Sequence, residues 1–134
     1  MRITTPLFAI FLLFGITACD KEDSDTQPVV NPTIQFRSDS GFVFQSDTVP
    51  VQDTLRVGVS IDRGTQALHH FKVSVSYDGA AAAVTDSLPV GTDEFEFTKT
   101  IITRPQPGIE KWNFSVIEND GDVIFRSLTF TVVE

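Results

Sequence analysis

Cysteine is almost missing from this chain of 134 residues: Cys19 stands alone, so no disulfide can form within the molecule and packing must hold the fold. Tryptophan and tyrosine occur once each, as Trp112 and Tyr77, which leaves few aromatic groups for stacking on a ligand. Basic residues are scarce. Ten Lys and Arg face 18 Asp and Glu, a formal charge of −8, and that balance excludes nucleic acid and anionic lipid as partners through repulsion. No apolar run approaches the ~20 residues of a membrane-spanning helix. Also missing are a glycine-rich phosphate cradle, a nucleophile elbow and a His-Glu-x-x-His pair, so no known catalytic motif is present. Past Cys19 no window keeps a helical period.

What is there begins with the leader. Arg2 supplies a positive start, Leu7 to Ile16 (LFAIFLLFGI) an apolar stretch too short to span a bilayer, and small Ala18 a cleavage position. Ile16-Thr17-Ala18-Cys19 then resembles the signal of bacterial lipoproteins. The resemblance implies that residues 1–18 are a signal peptide that is removed, that the Cys19 thiol carries diacylglycerol, and that the new amine is acylated, with palmitate among the chains. Each buried CH₂ contributes about 0.8 kcal/mol, so two or three chains hold essentially permanently where one holds weakly. Cys19 is thus expected to be an anchor to the membrane and not a nucleophile.

Asp20-Lys21-Glu22-Asp23-Ser24-Asp25 follows directly. Lys21, Glu22 and Asp23 resemble the export tag of Bacteroidota-type surface lipoproteins, which implies a lipid-anchored protein of the outer membrane exposed at the cell surface. An enteric-type rule would instead read Asp20 as retention at the inner membrane, and a plain solvated tether fits either address. Removing 18 residues leaves 116, one domain by length. Losing Arg2 leaves nine basic against 18 acidic residues, a charge of −9.

Residues 19–32 comprise the lipidated cysteine and a polar segment with Pro28 and Pro32, read as a flexible tether. Residues 33–134 change to short β-branched and aromatic runs separated by turn residues. Leu55, Val57, Val59 and Ile61 alternate with polar neighbours, as do Phe71, Val73, Val75 and Tyr77, then Trp112, Phe114 and Val116, and finally Leu128, Phe130 and Val132. Glu94 to Thr98 alternates acid and aromatic before Ile101 and Ile102. Thr33–Phe36 and Gly41–Phe44 read as short edge strands around a kink at Asp39-Ser40-Gly41, while Ala80–Val84 suits a helix as well as a poor strand. Asn119-Asp120-Gly121 predicts a hairpin with a primed turn. About seven strands without crossover helices predict an all-β, antiparallel sandwich.

The stretch Gly108 to Val116, with Glu118-Asn119-Asp120-Gly121 and a last strand, resembles the final hairpin of immunoglobulin-like domains, in the cysteine-free form of bacterial surface proteins. The resemblance implies an immunoglobulin-like β-sandwich and no particular function.

Candidate chemistry is thin. His69 and His70 are adjacent, so on a regular strand they point to opposite faces and share no ion. Glu94 and Glu96 share one face, which a solvated strand explains without a glycosidase. Glu118, Asp120 and Asp122 are the carboxylate cluster to weigh for calcium, but their spacing fails the EF-hand pattern and a plain turn accounts for them, so no metal and no cofactor is expected. Trp112 and Tyr77 fall on inward stripes and are expected in the core. The expected function is that of a non-enzymatic surface module that binds, or serves as accessory to, another envelope or extracellular protein. The alternatives are a periplasm-facing structural or envelope-assembly lipoprotein and a glycan-binding accessory of a polysaccharide-uptake system.

Overall fold

The computed structural model describes residues 26–134; the leader, Cys19 and the acidic run with Lys21, Glu22 and Asp23 lie outside the described residues. Among the described residues eight strands form: β1 (Thr33–Phe36), β2 (Asp47–Pro50), β3 (Thr54–Asp62), β4 (Leu68–Tyr77), β5 (Ala83–Pro89), β6 (Glu94–Ile102), β7 (Gly108–Glu118) and β8 (Val123–Val133). They build two sheets, β1-β3-β6 and β2-β8-β7-β4-β5. This strand order is that of an immunoglobulin-like sandwich, with every pair antiparallel except β2 against β8, which runs parallel.

Period-two alternation decides which side chains meet between the sheets. Val57, Val59 and Ile61 of β3 face Phe71 and Val73 of β4, Phe114 and Val116 of β7, and Phe130 and Val132 of β8, all essentially without solvent contact. Ring contacts fasten the layers: Phe71 lies 5.3 and 5.1 Å from Phe95 and Phe97 of β6, and Phe36 meets Phe114 edge-on at 5.4 Å. A core of this kind needs no disulfide.

The pairings also define two ends. Thr33 pairs with Asp62, Asp62 with Glu94, His70 with Pro89, Leu68 with Glu118, and Ile117 with Val123. One end therefore gathers the start of β1, the loops 63–67 and 90–93, and the turn 119–122. The opposite end gathers the turns 51–53 and 78–82, the loop 103–107 and the end of β8, where Pro50 pairs with Val133.

Several expectations need correction. Gly41–Phe44 is not a strand: Phe42 lies over Gly58 between the Arg37 and Arg56 guanidinium groups, 4.3 and 4.9 Å from its ring, and only isolated bonds such as Val43 N–H to Arg56 C=O join it to the sheet. A side chain at position 58 would collide with Phe42 and Arg37, which is why glycine stands on the outer face of β3 there. The strand after the kink is β2, four residues long with a single buried side chain, Val49, and too short to display a period. Ala80–Val84 is loop up to Ala82; the strand covers Ala83–Pro89, with a bulge opposite Val73 and Ser74. Toward the start of the domain, Val30 exchanges hydrogen bonds with Thr65 and Pro32 is buried, so ordered contacts begin before β1.

Candidate functional sites at the two ends

The end away from β1 holds an open groove of about 490 Å³ lined by Tyr77, Asp78, Arg104, Pro105 and Gln106. Tyr77 corrects a sequence expectation. It keeps the inward register of β4, opposite Glu110, but as the last residue of its strand it has no core beyond it and is 41% exposed. Trp112, by contrast, is buried as expected.

Arg104 organises this end. Its guanidinium grips the Asp78 carboxylate at 2.5 and 3.0 Å and donates to the carbonyls of Gln106 and Pro107. Asp78 also accepts from Ile109 N–H, and the hydrogen bond from Arg104 followed by that from Ile109 holds its carboxyl below the usual range. Behind it, the fully buried Glu110 accepts from Arg104 N–H at 2.7 Å and from the Trp112 indole at 3.1 Å. Gly108, at φ +148°, leaves the space into which the guanidinium fits; a Cβ there would land on it. The polar groups of this groove are largely engaged with one another, which makes it a braced corner with one aromatic face. No sequence motif announces it, because Asp78, Arg104 and Glu110 come from three different segments.

At the other end, Glu118, Asp120 and Asp122 come together on the β7–β8 turn: one carboxylate oxygen from each lies within 4.8 Å of the others. The turn closes by Gly121 N–H to Glu118 C=O and Glu118 N–H to Asp122 C=O, and Asn119 N–H reaches Ala67 C=O of the neighbouring loop. Within this turn only Gly121 has a positive φ, +97°, so the hairpin is present but its turn is not of the primed kind. Asp120 and Asp122 are exposed. Glu118 is 3% exposed, and burial, then the nearby Asp120 and Asp122 charges, push its carboxyl above the usual range.

The histidines behave differently from a regular strand. A bulge between Leu68 and His70 lets Leu68 and Phe71 both turn inward, which leaves the two imidazoles 6.0 Å apart, with His70 Nε2 at 2.6 Å from Ser87 Oγ. Glu94 and Glu96 lie exposed on the outer face of β6. Lys99 of β6 and Asp86 of β5 meet at 2.7 Å across the open side of the sandwich; against a burial penalty, hydrogen bonds from Lys99 and Thr85 leave the Asp86 carboxyl below its ordinary value. On the outer face of the five-stranded sheet Val123 and Phe125 are 56% and 61% exposed.

No protein-family model matches the chain, and no curated protein matches it. Among solved structures it is similar to the CARDB domain of a Pyrococcus furiosus protein in complex with di-metal ions, at 20% identity over 78% of this chain and 90% of that one, with a TM-score of 0.42. A chain from a structure of T cell specificity and activation by the bacterial superantigen toxic shock syndrome toxin-1 matches at 8% identity over 77% of this chain and all of that one, with a TM-score of 0.49. A β-glucosidase from Listeria innocua in complex with glucose matches at 13% identity over 76% of this chain but only 16% of that one, with a TM-score of 0.46. Identities this low carry neither ligand nor activity across, and the fold stands on the strand order and register of the chain itself.

Proposed function

We propose that this chain is a lipid-anchored, non-enzymatic module of the outer-membrane surface that binds, or serves as accessory to, another envelope or extracellular protein. The observation that carries the reading is the order of parts: a short apolar run behind Arg2, the sole cysteine Cys19, an acidic run from Asp20 that includes Lys21, Glu22 and Asp23, and then a sandwich that needs no disulfide. Exposed Val123 and Phe125 on β8, and the free edge of β5, offer a protein partner apolar area and unpaired backbone groups. The carboxylates of the Arg104 corner support a binding role over catalysis, since Asp78 and Glu110 are both taken up by hydrogen bonds.

External protease on intact cells tests the address. The surface module is digested without lysis, whereas the periplasm-facing alternative survives until the outer membrane is opened. Replacing Lys21, Glu22 and Asp23 by alanine should keep the lipid and lower external labelling; unchanged labelling would reduce the acidic run to a tether.

One observation favours the glycan-binding alternative. Exposed Tyr77 lines the groove and gives a sugar ring a face to stack on. A glycan array with the wild type and Tyr77→Ala separates the readings: a specific ligand lost in the variant supports the glycan role, and no ligand supports the protein partner.

A further inference from the structure

The end of β7 carries a charge that its surroundings leave unanswered. Alternation along β7 turns Glu110, Trp112, Phe114, Val116 and Glu118 inward, so the stripe that builds the core also buries a carboxylate at its last position. Glu110, at the other end of the strand, is satisfied by Trp112 and by Arg104 N–H. Glu118 is not. Its Oε1 is buried without any hydrogen-bond partner, and none of the ion pairs among the described residues reaches it, because those join Arg37 to Asp39, Arg63 to Asp93, Lys99 to Asp86 and Arg104 to Asp78. A buried, unpaired acceptor is costly, and two further carboxylates, Asp120 and Asp122, crowd the same few ångströms.

We propose that Glu118, Asp120 and Asp122 form a calcium site. Calcium binds oxygens at about 2.3–2.6 Å, so ligands on opposite sides of one ion stand up to about 5 Å apart, and the spread of these three carboxylates within 4.8 Å falls inside that span. Magnesium demands a tighter, near-octahedral shell, whereas calcium accepts the irregular arrangement that a hairpin turn presents. Glu118 enters from the core side, Asp120 and Asp122 from the solvent side, and the exposure of the latter two leaves room for water to complete the shell. The bond from Asn119 N–H to Ala67 C=O ties the turn to the loop 63–67, so an ion held here also stiffens that loop. Three carboxylates with an open side place the affinity in the range of extracellular modules, Kd about 10⁻⁴–10⁻³ M. The site is independent of the anchor and of the partner-binding reading.

The test uses the full chain in detergent micelles, stripped with chelator, and compares calcium with magnesium at matched ionic strength by calorimetric titration and thermal unfolding. Calcium at about ten times Kd should raise the melting temperature by about 5 °C, and magnesium by clearly less. Asp120→Asn combined with Asp122→Asn should remain folded and lose both the heat and the shift. Glu118→Gln, which removes the buried charge while keeping its shape, should melt no lower than the wild type without calcium and should gain little from it. No heat and no shift up to about 10 mM calcium, or an equal shift in the folded double variant, would overturn the site.

Discussion

At the scale of single residues, the polar groups that matter are those whose partners the fold brings from elsewhere. Glu110 is tolerated in the core because the Trp112 indole and Arg104 N–H satisfy it, and removing one donor leaves a buried acceptor unpaired. Trp112→Phe should therefore cost about 1–3 kcal/mol in chemical denaturation, more than the small change in apolar area explains. A cost near zero would mean that Glu110 finds another donor. Gly108 occupies φ +148° against the Arg104 guanidinium, so Gly108→Ala meets both a strained backbone, worth about 1–3 kcal/mol, and a displaced Arg104. The same corner sets a pH dependence. The Asp78 carboxyl is held below its unfolded value of about 4, so the folded state binds fewer protons in that window. Its contribution is present above pH 4 and is lost as pH falls through the lowered value. Arg104→Ala should flatten the loss of stability below pH 4, measured by urea unfolding across that range; an unchanged slope would place the acid sensitivity at Asp39 or Asp86, whose carboxyls are also lowered.

At the scale of elements, what alternation over five or more residues can declare, it declares. Leu55 to Ile61, Trp112 to Val116 and Leu128 to Val132 carry enough apolar positions on one parity to be read from the sequence, and all three are core strands. β2 and β5 are not legible in this way. β2 has one buried residue and takes its structure from a parallel pairing with β8, and β5 exposes nearly every side chain because it is an edge, so its strand character comes from β4. Tyr77 shows the same limit: parity gave its direction correctly, and the end of the strand decided its exposure. The acidic turn was visible as a cluster, but that Glu118 lies under it, buried and unpartnered, follows from register alone. β6 illustrates how an edge is guarded. Lys99 interrupts its inward stripe and pairs with Asp86 across the open side, a charge that a docking strand would have to bury. Lys99→Val should raise self-association in sedimentation at high concentration. A strictly monomeric variant would show that the edge is protected by something else.

At the scale of the whole molecule, a domain with its core between two sheets and no disulfide should fold without help from the leader or from oxidation. Residues 26–134, which keep Val30 bonded to Thr65 and Pro32 in place, should give a β-rich circular-dichroism spectrum and one cooperative transition in reducing buffer. A helical spectrum would contradict the sandwich. The segment that follows Cys19 enters the domain at the end that carries the β7–β8 turn, so the Arg104 corner and Tyr77 lie at the end remote from it. If the lipid at Cys19 holds the protein, that remote end is the one free to meet a partner. The most direct test of the proposed role is fractionation of Cys19→Ala beside the wild type, with circular dichroism on both. Wild type retained in washed membranes and the variant released as folded, soluble protein is the predicted result; a variant that stays in washed membranes would contradict the anchor and the surface role built on it.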